Sequence, residues 1–350
     1  MLDTITIGER VVGDGRPVFI IAEAGVNHNG DLGLAKRLVD AARDCGADAV
    51  KFQTWITEKL VAPDARMAEY QKRNVGREES QFAMLKRLEL SQDQFREINT
   101  YAHAAGILFL STPDEEDSAD FLDRLGVPAF KIGSAEVTNL RFLRHVAGKG
   151  KPVILSTGMS TLGEVEAAVH TIAETKNRQL ALLHCVSDYP ADPADCNLRA
   201  MDTLKDAFRC PIGFSDHTPG IDIAVAAVAR GASVIEKHLT LDKTMPGPDH
   251  VMSLDVAEFK RMVRAVRSVE AALGTGRKEP APAELATKQV VQKAIVALRD
   301  VPAGKKLEME DLALRRTSGG LPSQYLEMLI GREARCLIKA NQMVSLDMVS

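Results

Sequence analysis

Eight times in its first 245 residues the chain passes from a short apolar run, rich in β-branched residues, to a stretch with helical periodicity. The runs are Val18 to Glu23, Ala49 to Gln53, Ile107 to Ser111, Ala129 to Ile132, Pro152 to Ser156, Ala181 to Cys185, Pro211 to Ser215 and Val234 to Thr240. Between them lie amphipathic segments such as LGLAKRLVDAARDCGA, SADFLDRLGV, LGEVEAAVHTIAET and IDIAVAAVARGA, with glycines near several carboxyl ends that read as helix stops. Strand alternating with helix eight times predicts an α/β chain built on a (β/α)8 barrel over residues 1–275. Its last helix is LDVAEFKRMVRAVRSVEAALG, ending at Gly274.

Beyond that helix periodicity gives way to Gly, Pro and charge in GTGRKEPAPAELATKQ, which predicts a linker over 276–290. Residues 291–350 hold short apolar runs (AIVAL, RCLIKA), turn signals (DVPAGKKL, TSGGLP) and one helical piece, SQYLEMLIG. They predict a small β-rich module, which buries little surface by itself and is expected to rest on a barrel, its own or that of a second subunit.

Composition removes several classes of function. A 350-residue chain that is 45% hydrophobic and 26% charged, with a net charge of −4, is an ordinary globular composition. No apolar run reaches membrane-spanning length, and the MLDTITIGER start lacks the basic and apolar regions of a secretory leader, so a cytoplasmic protein with no membrane partner is expected. The five cysteines are an odd number with no C-x-x-C spacing, which predicts reduced thiols and neither a disulfide framework nor a thiolate zinc site. Near-neutral charge with one Trp and four Tyr argues against a nucleic-acid platform.

In a barrel of this kind the chemistry sits at the carboxyl ends of the strands. Those ends are polar here: Glu23, then Lys51 and Gln53, Ser111-Thr112-Pro113, Lys131 with Ser134 and Glu136, Ser156-Thr157, His184 with Ser187-Asp188-Tyr189, Ser215 and His217, and Glu236 and His238. Alternation sorts the side chains. Val50 and Phe52 oppose Lys51 and Gln53, Phe130 and Ile132 oppose Lys131, Ile212 and Phe214 oppose Ser215, and Ile235, Lys237 and Leu239 oppose Glu236 and His238. With the apolar set on the helices, the lumen receives two lysines, at least two carboxylates, several hydroxyls and two histidines. Lys237 belongs with the outer set, toward helices or solvent. Taken singly, a strand histidine or a buried lysine also has a structural reading. The set together is costly to bury unless it binds something, and two lysines beside Ser and Thr suit a phosphorylated anion.

His217 and His238 top neighbouring strands although they are 21 residues apart. Two imidazoles with nearby oxygens make an open site for Mn²⁺, Mg²⁺, Co²⁺ or Zn²⁺ that would polarise a carbonyl; the alternative is an acid–base pair of histidines without metal. Gly25-Val26-Asn27-His28-Asn29-Gly30 is a glycine-bounded turn and lacks the G-x-G-x-x-G fingerprint. His28, His103, His145, His170 and His250 are expected to be solvent or packing histidines. The PGPDH turn places Asp249 over the barrel mouth, as a turn carboxylate or as an acceptor for a substrate hydroxyl.

Together, IAEAGVNHNGD, AVKFQT, STP, FKIGSAE, ILSTGM, HCVSDYP, GFSDHT and EKHLTLDKTMPGPDH resemble the sialic acid synthase family, of the N-acetylneuraminate and N,N'-diacetyllegionaminate synthase kind. The tail, with ALRDVPAGKKL, LALRRTSGGLP and LIGREARCLIKANQMV, resembles the SAF (antifreeze-like) domain that follows the barrel in these enzymes. The resemblance covers essentially the whole chain. It implies a transferase that condenses phosphoenolpyruvate with an N-acylated mannosamine-type sugar and water to give a nonulosonic acid and phosphate, on the way to a cell-surface polysaccharide.

By this resemblance Lys51, Thr112, Lys131, Ser134, Ser156 and Ser215 hold phosphoenolpyruvate. His217 and His238 bind a divalent metal, usually Mn²⁺ with Mg²⁺ or Co²⁺ as alternatives. Glu23 serves proton delivery or orientation at the new hydroxyl, and Glu136 stabilises or deprotonates near carbon 2. Tyr189, Glu236 and Asp249 meet sugar hydroxyls, and Gln53 and Ser187 complete the substrate-binding set. The family forms domain-swapped homodimers, in which Arg316 of one SAF module reaches the acyl group in the other barrel. Two positions depart from the N-acetylmannosamine-using pattern: Ser187 precedes Asp188-Tyr189-Pro190 where Asn is usual, and Gln292 replaces an aromatic residue. They bring 2,4-diacetamido-2,4,6-trideoxymannose forward beside N-acetylmannosamine. Alternatives are a deoxy-heptulosonate or deoxy-octulosonate type synthase using a phosphorylated aldose, against which the SAF module argues, and a non-catalytic sensor of phosphoenolpyruvate or sugar.

Overall fold

The computed structural model describes residues 1–75 and 79–350. It forms two compact units, 1–274 and 275–350. In the first, an antiparallel hairpin of β1 (Thr4–Ile7) and β2 (Arg10–Gly13) precedes eight parallel strands. These are β3 (Phe19–Gly25), β4 (Ala49–Thr54), β5 (Leu108–Pro113), β6 (Phe130–Ile132), β7 (Val153–Ser156), β8 (Leu180–Cys185), β9 (Ile212–Asp216) and β10 (Val234–His238). Their order around the sheet is β5-β4-β3-β10-β9-β8-β7-β6, and the two end strands β5 and β6 pack together, so the sheet is a nearly closed barrel. The eight strands are the eight apolar runs of the sequence, shifted by no more than two residues at either end.

Each strand feeds a helix that returns along the outside: Leu32–Cys45, Gln92–Ala105, Glu116–Leu125, Leu140–Ala147, Leu162–Glu174, Ala200–Phe208, Asp222–Ala229 and Val256–Leu273. Six of these eight starts are capped by side chains, those at Ala200 and Asp222 being the exceptions; Asp31 accepts from Leu34 N–H, and Thr161 with Glu164 forms a reciprocal capping box. Gly46 ends the first of these helices at φ 86°, a left-handed conformation that costs a residue with a Cβ more.

Alternation along the strands divides the core in two. Ile20, Val50, Phe52, Phe109, Ile132, Leu155, Leu182, Phe214 and Ile235 face outward and pack with Leu38, Phe95, Phe121, Phe142, Val165 and Phe259 of the helices. The residues between them face inward, and at the amino ends of the strands they too are apolar: Phe19, Ile21, Ala49, Leu110, Ala129, Ile154, Ala181, Leu183 and Val234. Ile5, Ile7 and Val12 of the hairpin close this lower layer, so β1 and β2 plug the floor of the barrel. Lys237 lies on the outward face as expected, but it is buried and not solvated. Its Nζ donates to Asp216 Oδ2 at 2.7 Å and also to Thr218 O, and both charged side chains are inaccessible.

In the second unit β11 (Lys293–Ala297) pairs antiparallel with β12 (Leu312–Arg316). Further bridges join Val296 to Met343, Val301 to Ile338 and Ala334 to Val349. Ile295, Val301, Leu307, Leu312, Leu329, Ile338, Val344 and Val349 form its core. The SQYLEMLIG segment is helical over Leu326–Leu329, after a 3-10 turn at Ser323–Tyr325. Within the stretch read as a linker, Glu284–Val291 is a helix.

Candidate active site

One pleat above the apolar floor the same inward face turns polar, which follows from the period of two along each strand. Glu23 continues Phe19 and Ile21, Lys51 continues Ala49, Thr112 continues Leu110, Lys131 continues Ala129, Ser156 continues Ile154, and Glu236 continues Val234. These side chains converge. Lys51 Nζ lies 2.8 Å from Glu23 Oε2 and donates to Thr112 Oγ1 at 3.0 Å. Glu236 lies 3.2 Å from Lys131 Nζ and 3.8 Å from Lys51 Nζ, and it accepts from Ser215 Oγ at 2.9 Å. Gln53 Nε2 donates to Glu23 Oε1 at 2.8 Å. Glu236, expected at the sugar, is therefore held in the lysine layer.

The electrostatics are set by burial and by these pairs. Burial opposes ionisation of Glu236, but Lys131 and Lys51 outweigh it and bring its pKa to about 2. Burial pushes Glu23 up, only partly countered by Lys51. It also pulls Lys131 down against the attraction of Glu236. Two lysines thus face a single firmly ionised carboxylate, an arrangement that favours an anionic ligand.

Above this layer His217 and His238 face each other, ring centroids 5.6 Å apart, with the Tyr189 ring 4.2 Å from that of His217. His217 Nδ1–H donates to Val186 O at 2.6 Å, which leaves the Nε2 lone pair directed away from that bond, 3.4 Å from Ser215 Oγ. Burial brings His217 down to about 4 and His238 well below its ordinary value, so both rings are neutral and able to ligate a cation. His238 Nδ1 is buried without a hydrogen bond, 3.6 Å from Asp249 Oδ2. Two imidazoles with open electron pairs suit a divalent metal, although among the described residues no cluster of three or more His, Cys, Asp or Glu is arranged to hold one.

A cavity of about 320 Å³ joins both layers. It is lined by fourteen of the sixteen residues expected at the site: Glu23, Lys51, Gln53, Thr112, Lys131, Ser134, Ser156, Ser187, Tyr189, Ser215, His217, Glu236, His238 and Asp249. Glu136 is not among them; at the end of the 3-10 turn Ser134–Glu136 its carboxylate accepts from Asn139 Nδ2 at 2.7 Å. Arg316 ends β12 of the second unit and is exposed there. Among the described residues, three buried side-chain polar atoms that line this cavity lack a hydrogen bond, Ser156 Oγ, Glu236 Oε2 and His238 Nδ1, and Glu23 Oε2 beside them has only its ion pair with Lys51. Such a concentration marks a ligand site, since buried polar groups are otherwise satisfied.

The loops of the mouth are fastened from several sides. Asn27 Nδ2 donates to Leu239 O and Ser253 Oγ, both at 2.9 Å, and Asn74 Nδ2 donates to Pro248 O at 2.7 Å beside Asp249. His28 and His250 are buried packing groups in these loops. Gly158 leaves no room for a side chain: a Cβ there would lie 2.3 Å from Ser187 Oγ, 2.9 Å from Cys185 Sγ and 3.0 Å from Ser134 Oγ. Its N–H donates to Ser134 Oγ at 3.0 Å. Sequence reasoning missed three polar lining residues, Gln71, Asp114 and Cys185. Asp114 follows the Ser-Thr-Pro strand end directly, and alternation from Thr112 was the signal that could have found it.

Comparison with known proteins agrees with this geometry. The NeuB family model matches residues 38–278 and the SAF domain model residues 292–350. The chain is 47% identical to the N,N'-diacetyllegionaminic acid synthase of Legionella pneumophila, covering 91% of each chain. It is 38% identical to the human N-acetylneuraminate-9-phosphate synthase, covering 97% of this chain and 95% of that one. The crystal structure of an N-acetylneuraminic acid synthetase from Leptospira borgpetersenii superposes with a TM-score of 0.71 at 37% identity, over 80% of this chain and 93% of that one. The barrel with its polar upper lumen and the β-rich second unit thus belong to a member of the NeuB family that carries a SAF domain at residues 292–350.

Proposed function

We propose that this enzyme joins phosphoenolpyruvate to an N-acylated mannosamine-type sugar, with water, to give a nonulosonic acid and inorganic phosphate. One observation carries the reading: a buried layer of two lysines, hydroxyls and one ionised carboxylate lies directly beneath two neutral, facing histidines in a single cavity. The lysine layer suits the phosphate and carboxylate of phosphoenolpyruvate. Lys51, Lys131, Thr112, Ser134, Ser156 and Ser215 supply the donors, and Glu236 holds both ammonium groups in place. The acceptor occupies the wider part of the cavity above, against Gln53, Ser187, Tyr189 and Asp249.

His217 and His238 would hold a divalent cation, Mn²⁺ by preference, which when bound supplies Lewis-acid polarisation of the acceptor's aldehyde. The chain's own groups do the rest. The lysine layer fixes carbon 3 of phosphoenolpyruvate toward the aldehyde carbon, so the new C–C bond forms within one enclosed space. Glu23, shifted toward its protonated form, delivers a proton to the oxygen that becomes the new hydroxyl. Water then adds at carbon 2 and phosphate leaves, its charge held by Lys51 and Lys131. For Glu136 to accept the water's proton, its carboxylate turns from Asn139 toward the cavity.

Of the two acceptors, 2,4-diacetamido-2,4,6-trideoxymannose is the one favoured, supported by the 47% identity to a diacetyllegionaminic acid synthase. The SAF unit completes the acceptor site in a domain-swapped homodimer, with Arg316 of the second copy at the acyl group. Measuring kcat/KM for both sugars at saturating phosphoenolpyruvate tests the choice. The diacetamido sugar is expected to be preferred by at least about tenfold, a gap of the size one matched polar group provides. A preference for N-acetylmannosamine would reverse it.

A further inference from the structure

Asp114 is the one cavity-lining carboxylate that the chemistry above leaves without work. Its backbone N–H donates to Thr54 O at 3.1 Å, which carries the β4–β5 ladder one residue past the end of β5. Alternation therefore still holds at 114, and the side chain faces inward like Thr112, one pleat nearer the mouth. Thr112 accepts from Lys51 in the anion layer; Asp114 stands above that layer, at the height where an acceptor would lie on phosphoenolpyruvate.

The other carboxylates around the cavity all have polar neighbours. Glu23 has Lys51 and Gln53, Glu236 has the lysines and Ser215, Asp249 lies near His238, and Glu136 is bonded by Asn139. The Asp114 carboxylate has no hydrogen bond and no ion pair with any described residue. Burial pushes it up to about 7, and Glu136, Glu23 and Glu115 add to the shift against the attraction of Lys51. Asp114 is half-buried, and a partly desolvated carboxylate without a protein partner carries a cost that a donor on the ligand offsets. Phosphoenolpyruvate, an anion, offers none; an acylated sugar offers hydroxyl and amide N–H groups.

We infer that Asp114 is an acceptor-contacting, specificity-determining residue, whose carboxylate takes a hydrogen bond from a hydroxyl or acylamino N–H of the sugar. The inference rests on the reading of the cavity as a site for phosphoenolpyruvate and an acylated sugar. It is tested with the full chain and Mn²⁺, by steady-state phosphate release with each substrate varied, for wild type, D114A and D114N. D114A is expected to raise the KM of the acceptor about tenfold or more while moving that of phosphoenolpyruvate less than about twofold. D114N keeps a carbonyl acceptor and is expected to fall between. Because D114N is nearly isosteric, it reports on the contact even if D114A fails to fold. If wild type turns over and D114N and a folded D114A both leave the acceptor KM unchanged, or raise only that of phosphoenolpyruvate, the inference is overturned and the proposed function stands. If wild type binds phosphoenolpyruvate by calorimetry but neither binds nor consumes either sugar, the proposed function falls and this inference with it.

Discussion

The two histidines show how single residues are prepared for their task. His217 is held by the Val186 carbonyl in one tautomer, and His238 is kept neutral by burial and left with a bare nitrogen. His238→Ala is accordingly expected to weaken Mn²⁺ binding by at least about tenfold in a calorimetric titration. Unchanged metal affinity would show that the rings serve another purpose. At this scale the sequence was informative where alternation could be counted. It placed Lys51, Lys131, Glu236 and both histidines on one face, because four of them lie within a strand and His217 directly follows the end of β9. It stopped at Pro113 and so passed over Asp114, although the ladder continues for one more residue. It also put Glu136 with the others, whereas the short turn after β6 follows no strand period and sends that carboxylate to Asn139.

Among elements, the pair of β9 and β10 has an internal lock. Asp216 and Lys237 point outward between Ser215 and His217 on one strand and Glu236 and His238 on the other, and their buried contact fixes the register that sets both histidines. Removing one partner leaves a buried charge, so Lys237→Ala is expected to destabilise the first unit by about 3–5 kcal/mol. The double replacement K237M/D216L should recover most of the loss. Trp55, the single tryptophan and buried in this unit, reports the transition in urea; a loss under about 1 kcal/mol would mean that the lock carries no stability.

In the second unit, the 3-10 turn Met309–Asp311 is held in another way. Bonds from Lys305, the Glu308 N–H and Arg299 overcome the cost of burying Asp311 and bring its carboxyl to about 2 from an ordinary 3.8. A carboxyl lowered in the folded state contributes stability that is present above its ordinary pKa and disappears as pH falls toward 2. Calorimetric scans of wild type and D311N should differ most at neutral pH and converge between about pH 4 and pH 2. A constant gap over that range would exclude the linkage. The strands and helices of the barrel were legible from periodicity, but the hairpin β1–β2 was not. Its two strands have four residues each, and what fixes them is the barrel floor they cover, a contact distant in sequence.

At the level of the whole molecule, the barrel sorts apolar from polar along its axis, with a closed floor below and a reactive chamber above, and the sorting is a direct consequence of two-residue periodicity in eight parallel strands. The NeuB family model and the SAF domain model match in that order along the chain, over residues 38–278 and 292–350. The sugar was not legible, since cavity-lining residues outside the strands, such as Ser187 in a loop and Gln71 in the helix Glu69–Val75, follow no strand period. The central claim is that the lysine layer and the histidine pair act together on phosphoenolpyruvate and an acylated sugar. The most direct test is inorganic phosphate release from phosphoenolpyruvate with Mn²⁺, with and without 2,4-diacetamido-2,4,6-trideoxymannose, in wild type and K51A. The account expects release that requires the sugar, a nonulosonic acid product by mass, and a KM for phosphoenolpyruvate raised roughly 10- to 100-fold in K51A. Phosphate release independent of any sugar, or full activity in K51A, would contradict it.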